Sequence, residues 1–270
     1  MSVNHFDHGW LGISGRTFVV TGAGSGIGNA IAGALISAGA SVAMLDRNTQ
    51  GCEALLSGVD SATRALVLEC DIGNEDSVVQ CVAAVEEAFG SIDGLVNCAG
   101  MLRAASIKDV KLDEWEAVLR TNLTGYMLCS RSFARLMAAR GGAMVHIASV
   151  AAHHPQTHSG AYSASKAGIS LLSRQIAVEY GEQGVRSNVI CPGMIRTALS
   201  EPFYQHPGIK ERREAMTASR RIGVPDDIAN AAVFLLSPRA SYINGAEFSV
   251  DGGMEAMLMD LIPRPGFTAA

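Results

Sequence analysis

The chain is poor in charged and aromatic residues. Only 17% of its 270 residues are charged and 6% are aromatic, whereas 48% are hydrophobic. The net charge of −5 at pH 7 is the opposite of the basic excess that nucleic-acid binding requires. No apolar run is long enough to span a membrane, and the first twenty residues lack the apolar segment of a signal peptide. We therefore expect a cytoplasmic protein without nucleic-acid or membrane partners.

The six cysteines form no Cys-x-x-Cys pair, the spacing common in zinc sites. Most lie in apolar runs, which is typical of buried, reduced cysteines rather than of a disulfide framework. Three histidines, His153, His154 and His158, lie close together, but no acidic or cysteine ligand accompanies them in sequence. We expect exposed loop histidines and no metal site.

Short apolar segments alternate with longer helical patterns along the chain. The segments that predict strands are residues 17–21, 41–45, 65–69, 92–97, 143–148, 185–190 and 246–250. The helical patterns lie between them, at 26–38, 75–89, 113–139, 161–181 and 226–236. This alternation predicts an α/β fold: a single-domain, doubly wound parallel sheet of the Rossmann type, with about seven strands and helices on both faces.

A glycine-rich turn follows the first predicted strand and opens a helix. Its glycines, Gly22, Gly26 and Gly28, allow a tight turn, a close approach to a pyrophosphate and close packing of the helix on the sheet. Ser25 and Ile27 lie at the start of that helix, where backbone amides can bind phosphate. S-adenosylmethionine enzymes carry similar loops, but the order strand, turn, helix, strand and acid indicates a dinucleotide site.

The acid in this pattern is Asp46, at the end of the second predicted strand. A carboxylate there can accept hydrogen bonds from the adenosine ribose and repels a 2′-phosphate. Arg47 could serve a 2′-phosphate, yet the glycine loop contains neither lysine nor arginine. The sequence therefore predicts NAD as the cofactor, with NADP as the weaker alternative.

Tyr162 and Lys166 lie one helical turn apart, thirteen positions after Ser149. A phenol has a pKa near ~10, and a neighbouring ammonium group favours the phenolate. Lowering that pKa by roughly 3 units takes about 4 kcal/mol, a plausible sum for one lysine and a cationic cofactor ring. Ser149 follows an apolar run and could bind a substrate oxygen at a strand end. Together the three groups suit proton transfer to or from an alcohol or ketone.

With these residues, the chain resembles the classical short-chain dehydrogenase/reductase family from about Leu11 to Gly253. Its glycine loop matches the family's Thr-Gly-x-x-x-Gly-x-Gly, and residues 97–100 match Asn-Asn-Ala-Gly, with Cys98 in place of the second Asn. Residues 192–197 are similar to the family's Pro-Gly-x-x-x-Thr segment. The resemblance implies hydride transfer between a nicotinamide cofactor and a small-molecule alcohol or ketone.

The resemblance also implies residue roles. Asn122 would bind a water that links Lys166 to bulk solvent, and Ser149 would orient the substrate oxygen. Tyr162 would be the general acid/base, and Lys166 would lower its pKa and hold the nicotinamide ribose. Further cofactor contacts are implied at Asp71, Ile72, Asn97, Ala99, Gly100, Pro192, Gly193, Ile195 and Thr197.

No internal repeat or linker divides the chain, so we assign residues 1–270 to one dinucleotide-binding and catalytic domain. Residues 194–219 are polar and contain two prolines, which predicts a mobile substrate-loop insertion. Residues 254–270 predict a C-terminal tail over the surface, which closes part of a substrate pocket of its own or a neighbouring subunit or, alternatively, stabilises a subunit interface. The patterns at 113–139 and 161–181 carry more apolar residues than one buried face needs. Together with the resemblance, this excess predicts a homotetramer.

The sequence leaves the substrate open. The chain resembles both 3-oxoacyl-carrier-protein reductases and dehydrogenases of secondary alcohols, sugars and steroids. Asp46 counts against the first group, which mostly uses NADPH. A non-catalytic dinucleotide-binding protein would be expected to lack the tyrosine or the lysine, and a methyltransferase would not explain Ser149, Tyr162 and Lys166 at their spacing.

Overall fold

Seven parallel strands form one sheet. The computed structural model describes residues 8–59, 64–137, 140–198 and 200–262. The strands are β1 (Thr17–Thr21), β2 (Ser41–Asp46), β3 (Ala65–Glu69), β4 (Gly94–Asn97), β5 (Gly142–Ile147), β6 (Val185–Pro192) and β7 (Glu247–Val250). Their order is β3-β2-β1-β4-β5-β6-β7, and every neighbouring pair is parallel. The predicted fold class is confirmed.

Helices cover both faces of this sheet. They are α1 (His8–Leu11), α2 (Gly26–Ser37), α3 (Gln50–Ser57), α4 (Glu75–Phe89), α5 (Leu112–Leu119), α6 (Gly125–Met137), α7 (Tyr162–Glu179), α8 (Ile209–Ala215) and α9 (Pro225–Leu236). Buried side chains of α2 and α9 form one core with the sheet, and those of α4, α6 and α7 form the other. Within the described residues, no helix combines the length and the apolar character needed to cross a membrane.

Strand β1 shows how the sequence separates the two cores. Successive side chains of a strand point to opposite faces. Phe18 and Val20 accordingly join the core under α2 and α9, whereas Val19 joins the other core. All three are fully buried. A strand covered on both faces therefore reads as a continuous apolar run, which is the pattern that identified it.

Several element boundaries differ from the prediction. Strand β4 begins at Gly94 rather than at residue 92, because the Ile92 amide donates to the Leu136 carbonyl oxygen (3.3 Å) instead of joining the ladder. Strand β6 continues to Pro192, two residues further than predicted. The single helix predicted over 113–139 is two helices, α5 and α6, joined by a turn of π-helix at Arg120–Thr124.

Three helices, α1, α3 and α8, were not predicted, and α1 has only four residues. Helix α3 has only eight residues, and Gly51 weakens its pattern. A Cβ at Gly51 would lie 1.8 Å from the Gly24 carbonyl oxygen, so close packing against the glycine loop requires this glycine. The segment 194–219, predicted to be irregular, contains α8 and the 3₁₀ turn Glu201–Gln205. Arg213 of α8 lies over the rings of Phe203 and Tyr204, at 4.9 and 5.1 Å.

The two cores predict how stability depends on position. Leu35 of α2 is fully buried, whereas Leu112 at the start of α5 is 70% exposed. Leu35→Ala should lower the free energy of unfolding by about 2–5 kcal/mol, because it removes packed methyl groups and leaves a cavity. Leu112→Ala should change it by no more than about 0.5 kcal/mol. Urea denaturation of both variants measures the difference, and similar losses would contradict this packing.

Candidate active site

A cleft crosses the carboxyl ends of the strands where the order reverses between β1 and β4. Ligands bind at such switch points in open parallel sheets. Its volume of about 410 Å³ lies in the range of small-molecule sites, roughly 300–1,000 Å³. The predicted site residues that line it are Gly22, Ser25, Gly26, Ile27, Gly28, Asp46, Asp71, Ile72, Ala99, Gly100, Ser149, Tyr162, Lys166, Pro192, Gly193, Ile195 and Thr197. Asn97 and Asn122 are fully buried and do not line the cleft.

The glycine loop forms one end of the cleft. Gly22 has a φ of +70°, and a Cβ on it would lie 2.6 Å from the Ala99 backbone. A Cβ on Gly28 would lie 2.1 Å from the Gly22 carbonyl oxygen. Both positions therefore exclude any larger residue. Ser25 caps α2 in an extended conformation without a side-chain hydrogen bond, which leaves the first amides of the helix available to an anion.

The Asp46 carboxylate is fixed by two backbone amides. Its Oδ2 accepts from the Gly24 amide at 2.9 Å, and its Oδ1 accepts from the Asn48 amide at 3.0 Å. Each oxygen retains a free lone pair, so the group can still accept hydrogen bonds from a ligand. Arg47 also lines the cleft. The Asp46 carboxylate and the Arg47 side chain thus both lie at the end of the cleft where an adenosine ribose would lie.

The Asn97 side chain contacts other buried side chains of the protein. The side chain is fully buried, and its amide nitrogen donates to Ser130 Oγ at 3.0 Å and lies 3.1 Å from His146 Nδ1. It does not line the cleft, unlike Ala99 and Gly100 of the same motif. The side chain therefore links β4 to α6 and β5. The cofactor contacts that the resemblance implied for Asn97, Ala99 and Gly100 stay predictions.

The π turn Arg120–Thr124 directs Asn122 into the protein. Its side chain accepts from the Met101 amide (2.8 Å) and donates to the Met101 carbonyl (2.9 Å) and to Ser165 Oγ (3.0 Å). A Cβ on Gly100 would lie 3.6 Å from both Asn122 Oδ1 and Lys166 Nζ, so the two groups flank the same glycine. Single π turns are frequent at functional sites. The water-binding role predicted for Asn122 remains a prediction.

Ser149, Tyr162 and Lys166 meet in the middle of the cleft. Ser149 lies two residues after the end of β5, and Tyr162 begins α7, which carries Lys166 one turn later. The Ser149 hydroxyl lies close enough to the Tyr162 hydroxyl to lower the pKa of the phenol. The Lys166 ammonium is 5.6 Å from the Tyr162 ring centroid and donates to the Ile147 carbonyl oxygen at 2.8 Å. The spacing read from the sequence thus corresponds to one cluster in space.

Burial controls the acidity of this cluster. It raises the pKa of Tyr162, and the nearby Ser149 hydroxyl offsets only part of that rise. It also lowers the pKa of Lys166 to about 8, because the ammonium is almost fully buried. The protein groups alone therefore do not produce the lowered tyrosine pKa that the sequence predicted. The desolvation of both groups was not visible in the sequence pattern.

The segment after β6 closes the cleft beside the glycine loop. A Cβ on Gly26 would lie 3.3 Å from Thr197 Cγ2, so the two motifs are in contact. A Cβ on Gly193 would lie 2.7 Å from the Asp251 Cα, which explains the glycine at that position. Arg47, Cys98 and Met101 also line the cleft. Sequence reasoning missed seven further lining residues, because they carry no motif. They are Leu45, Cys70, Thr121, Ile147, Ala148, Ala198 and Ser200.

Known proteins resemble this chain over nearly its whole length. Residues 22–255 match a family model described as enoyl-(acyl carrier protein) reductase. A D-threitol dehydrogenase from Mycolicibacterium smegmatis is 40% identical over 245 residues, which cover 89% of this chain and 93% of that protein. A galactitol 2-dehydrogenase (L-tagatose-forming) from Cereibacter sphaeroides is 36% identical, with coverage of 89% and 95%.

A solved structure agrees in fold as well as in sequence. The short-chain type dehydrogenase/reductase from Mycobacterium ulcerans superimposes with a TM-score of 0.85 at 34% identity, covering 93% of this chain and 96% of that one. The glycine loop and the serine, tyrosine and lysine of the cleft are the features that the sequence had associated with one family. The chain belongs to the classical short-chain dehydrogenase/reductase family.

Proposed function

We propose that the protein is an NAD-dependent dehydrogenase that interconverts a secondary alcohol and its ketone. The observation that carries this proposal is that Ser149, Tyr162 and Lys166 share one cleft with the glycine loop. A dinucleotide on the loop would extend toward the three side chains. The relatives named for oxidising polyhydric alcohols, D-threitol and galactitol, make polyols the first substrate class to test.

The residues that line the cleft fit a nicotinamide dinucleotide. The amides at the start of α2, behind Gly22 and Gly26, would hold the pyrophosphate. Asp46 would accept from the adenosine ribose, and Asp71 with Ile72 would contact the adenine. Three elements would hold the nicotinamide half: Lys166 at its ribose, and the Ile195 backbone and Thr197 hydroxyl at its carboxamide.

Tyr162 would move the proton. In alcohol oxidation, the substrate hydroxyl would lie between the hydroxyls of Ser149 and Tyr162, and the Tyr162 phenolate would take the hydroxyl proton. When bound, the nicotinamide cofactor supplies the hydride acceptor, and its oxidised ring is cationic. The Lys166 ammonium would stabilise the phenolate, which offsets the burial that raises its pKa. In ketone reduction Tyr162 would return the proton to the substrate oxygen.

A carrier-protein reductase is the second candidate, because the matching family model is described by that activity. Asp46 favours NAD over the NADPH that such reductases mostly use. The chain also lacks a basic excess for an acidic carrier protein. A screen of NAD reduction over secondary alcohols, polyols and hydroxysteroids, beside NADPH oxidation with an acyl thioester, separates the two. Turnover of neither set would favour a non-catalytic dinucleotide-binding protein.

Two segments would shape the substrate end of the cleft. Ala198 belongs to the segment 194–219 and lines the cleft, which supports the proposed substrate-loop role. The tail begins with the 3₁₀ helix Glu255–Leu261, and its remaining residues, 263–270, lie outside the described part of the chain. A pocket-closing role of the tail stays a proposal.

We also propose a cytoplasmic location, which is supported by the six cysteines, all of them free thiols.

Tyr162→Phe tests the chemical role of the phenol. The variant should keep its fold and its affinity for NAD, but kcat should fall by several orders of magnitude because the proton-transfer group is gone. Tyr242→Phe is the control, since that side chain is fully exposed. Steady-state kinetics and NAD titration measure both quantities. Near-normal turnover of Tyr162→Phe would contradict the role of Tyr162 as the proton-transfer group.

Asp46→Ala tests the choice of cofactor. The wild type should prefer NAD over NADP, and the variant should reduce this preference roughly ten- to hundredfold. That change corresponds to the loss of one hydrogen bond to a charged group, which contributes about 1.5–3 kcal/mol. Arg47 would then be free to pair with a 2′-phosphate. Asp113→Ala, in α5, is the control. The ratio of kcat/KM for NAD and NADP is the measurement, and a wild type that already prefers NADP would show the role to be wrong.

The outer face of α7 supports the proposed homotetramer. Leu171 and Val178, seven residues apart on the same face, are 68% and 80% exposed in one chain. Light scattering at micromolar concentration should give a mass of four chains, and Leu171→Asp with Val178→Asp should lower it. Ile107→Asp, equally exposed but in a loop, should not. A monomeric wild type would refute the tetramer.

A further inference from the structure

A cluster of potential metal ligands lies next to the catalytic strand end. His153 follows the short 3₁₀ turn after β5, Cys191 lies in β6, and Glu247 begins β7. One ligand atom from each lies within 4.8 Å of the other two. The expectation of no metal site rested on the lack of acidic and cysteine partners near the histidines in sequence. The parallel register of β5, β6 and β7 supplies those partners in space.

The register explains the convergence. Glu247 pairs with Val189 of β6, and Val189 and Cys191 are two residues apart on one strand, so their side chains share a face. Cys191 Sγ is 3.4 Å from the Glu247 carboxylate and 3.9 Å from His153 Nε2. His153 Nε2 also contacts the Glu247 carboxylate directly. The cluster is thus built into the sheet rather than gathered by surface side chains.

Two neighbouring side chains, Glu255 and Arg174, hold His153 and Glu247 in place by hydrogen bonds. Glu255 accepts from His153 Nδ1 at 2.6 Å, which leaves the Nε2 lone pair of a neutral ring facing Cys191 and Glu247. Metal-ligating histidines commonly bind a carboxylate through the other ring nitrogen in this way. Arg174 of α7 holds the second oxygen of Glu247 at 3.3 Å. The His153 side chain is 35% exposed, which gives an ion a path to the buried cysteine.

The donor set selects the metal. One imidazole nitrogen, one sulfur and one carboxylate oxygen are ligands that zinc accepts, whereas magnesium and calcium prefer oxygen ligands alone. Charge also balances. A Cys191 thiolate, Glu247 and Glu255 carry three negative charges, and Arg174 carries one positive charge. The two negative charges that remain are neutralised by a divalent cation. The thiol proton would pass to solvent on binding.

We propose that His153, Cys191 and Glu247 bind a zinc ion, with Glu255 as the residue that positions His153. The ion would connect the loop between Ser149 and Tyr162 to β6, to β7 and to the start of the tail. The Ala148 amide donates to the Ile190 carbonyl oxygen at 2.8 Å, and Ser149 and Cys191 each follow this pair, so the site lies beside the strand end that carries Ser149. Its role is structural, and it stands independently of the proposed reaction.

The competing arrangement is an ion-pair cluster that holds a proton instead of a metal. Hydrogen bonds to Glu247 and then Glu255 raise the pKa of His153, so a protonated ring could occupy the same position. The two arrangements differ in metal content and in the state of Cys191, which remains a neutral thiol in the second. Both quantities can be measured on the intact protein.

Zinc content per chain and thermal unfolding with and without a chelator test the proposal. Wild type should bind one zinc per chain and unfold at a lower temperature when stripped. Cys191→Ala and Glu247→Gln should lose the bound zinc, and Glu255→Gln should weaken its affinity about 10–100-fold. Cys52→Ala is the matched control, because Cys52 is equally buried but lies in α3. It should retain one zinc.

Cobalt substitution reports the sulfur ligand directly and does not depend on activity. The cobalt-loaded wild type and Cys52→Ala should show a thiolate-to-cobalt charge-transfer band, and Glu247→Gln should lose it without losing the fold. A wild type that takes up no zinc from micromolar solution would overturn the proposal. So would zinc uptake by Cys191→Ala equal to that of the wild type, or cobalt binding without a thiolate band.

Discussion

The burial of one ammonium group constrains the whole region around Ser149, Tyr162 and Lys166. Lys166 is only 4% exposed, and its contacts in the described part of the chain are neutral: the Ile147 carbonyl oxygen and the rings of Tyr126 and Tyr162. A buried charge without an opposite charge is costly, and this cost lowers the pKa of the lysine to about 8. A phenolate at Tyr162 would remove part of that cost. The proposed roles of the lysine and the tyrosine therefore depend on each other.

The backbone around this group is arranged to hold it. The Ile147 carbonyl oxygen ends β5 and accepts from both Lys166 (2.8 Å) and the Tyr126 hydroxyl (3.1 Å). The π turn brings Asn122 to Met101 and Ser165, so that α7 and the loop after β4 are fixed together. Three parts of the chain that are distant in sequence thus determine one ammonium position. The glycine loop and the three side chains Ser149, Tyr162 and Lys166 then face the same cleft, because parallel strands end at the same edge of the sheet.

The sequence revealed the fold and most of the cleft, because both depend on local patterns. Apolar runs such as Phe18–Val20 identify buried strands, and close backbone approaches at Gly22 and Gly28 permit only glycine. What the sequence could not reveal depends on distant contacts. The π turn follows from what Asn122 reaches across the fold, and the raised pKa of Tyr162 follows from burial by other elements. Cys191 and Glu247, 56 residues apart, become neighbours only through strand register.

The coupling between Lys166 and Tyr162 is the central claim, and titration of the tyrosine in the NAD-saturated enzyme tests it most directly. The ultraviolet difference absorbance of tyrosinate would be followed against pH in wild type and in Lys166→Met, with Tyr162→Phe subtracted to assign the signal. Removing the ammonium should raise the pKa of Tyr162 by about one pH unit or more, equivalent to about 1.4 kcal/mol. The pH dependence of alcohol oxidation should move by the same amount. An unchanged Tyr162 titration in Lys166→Met would contradict the account.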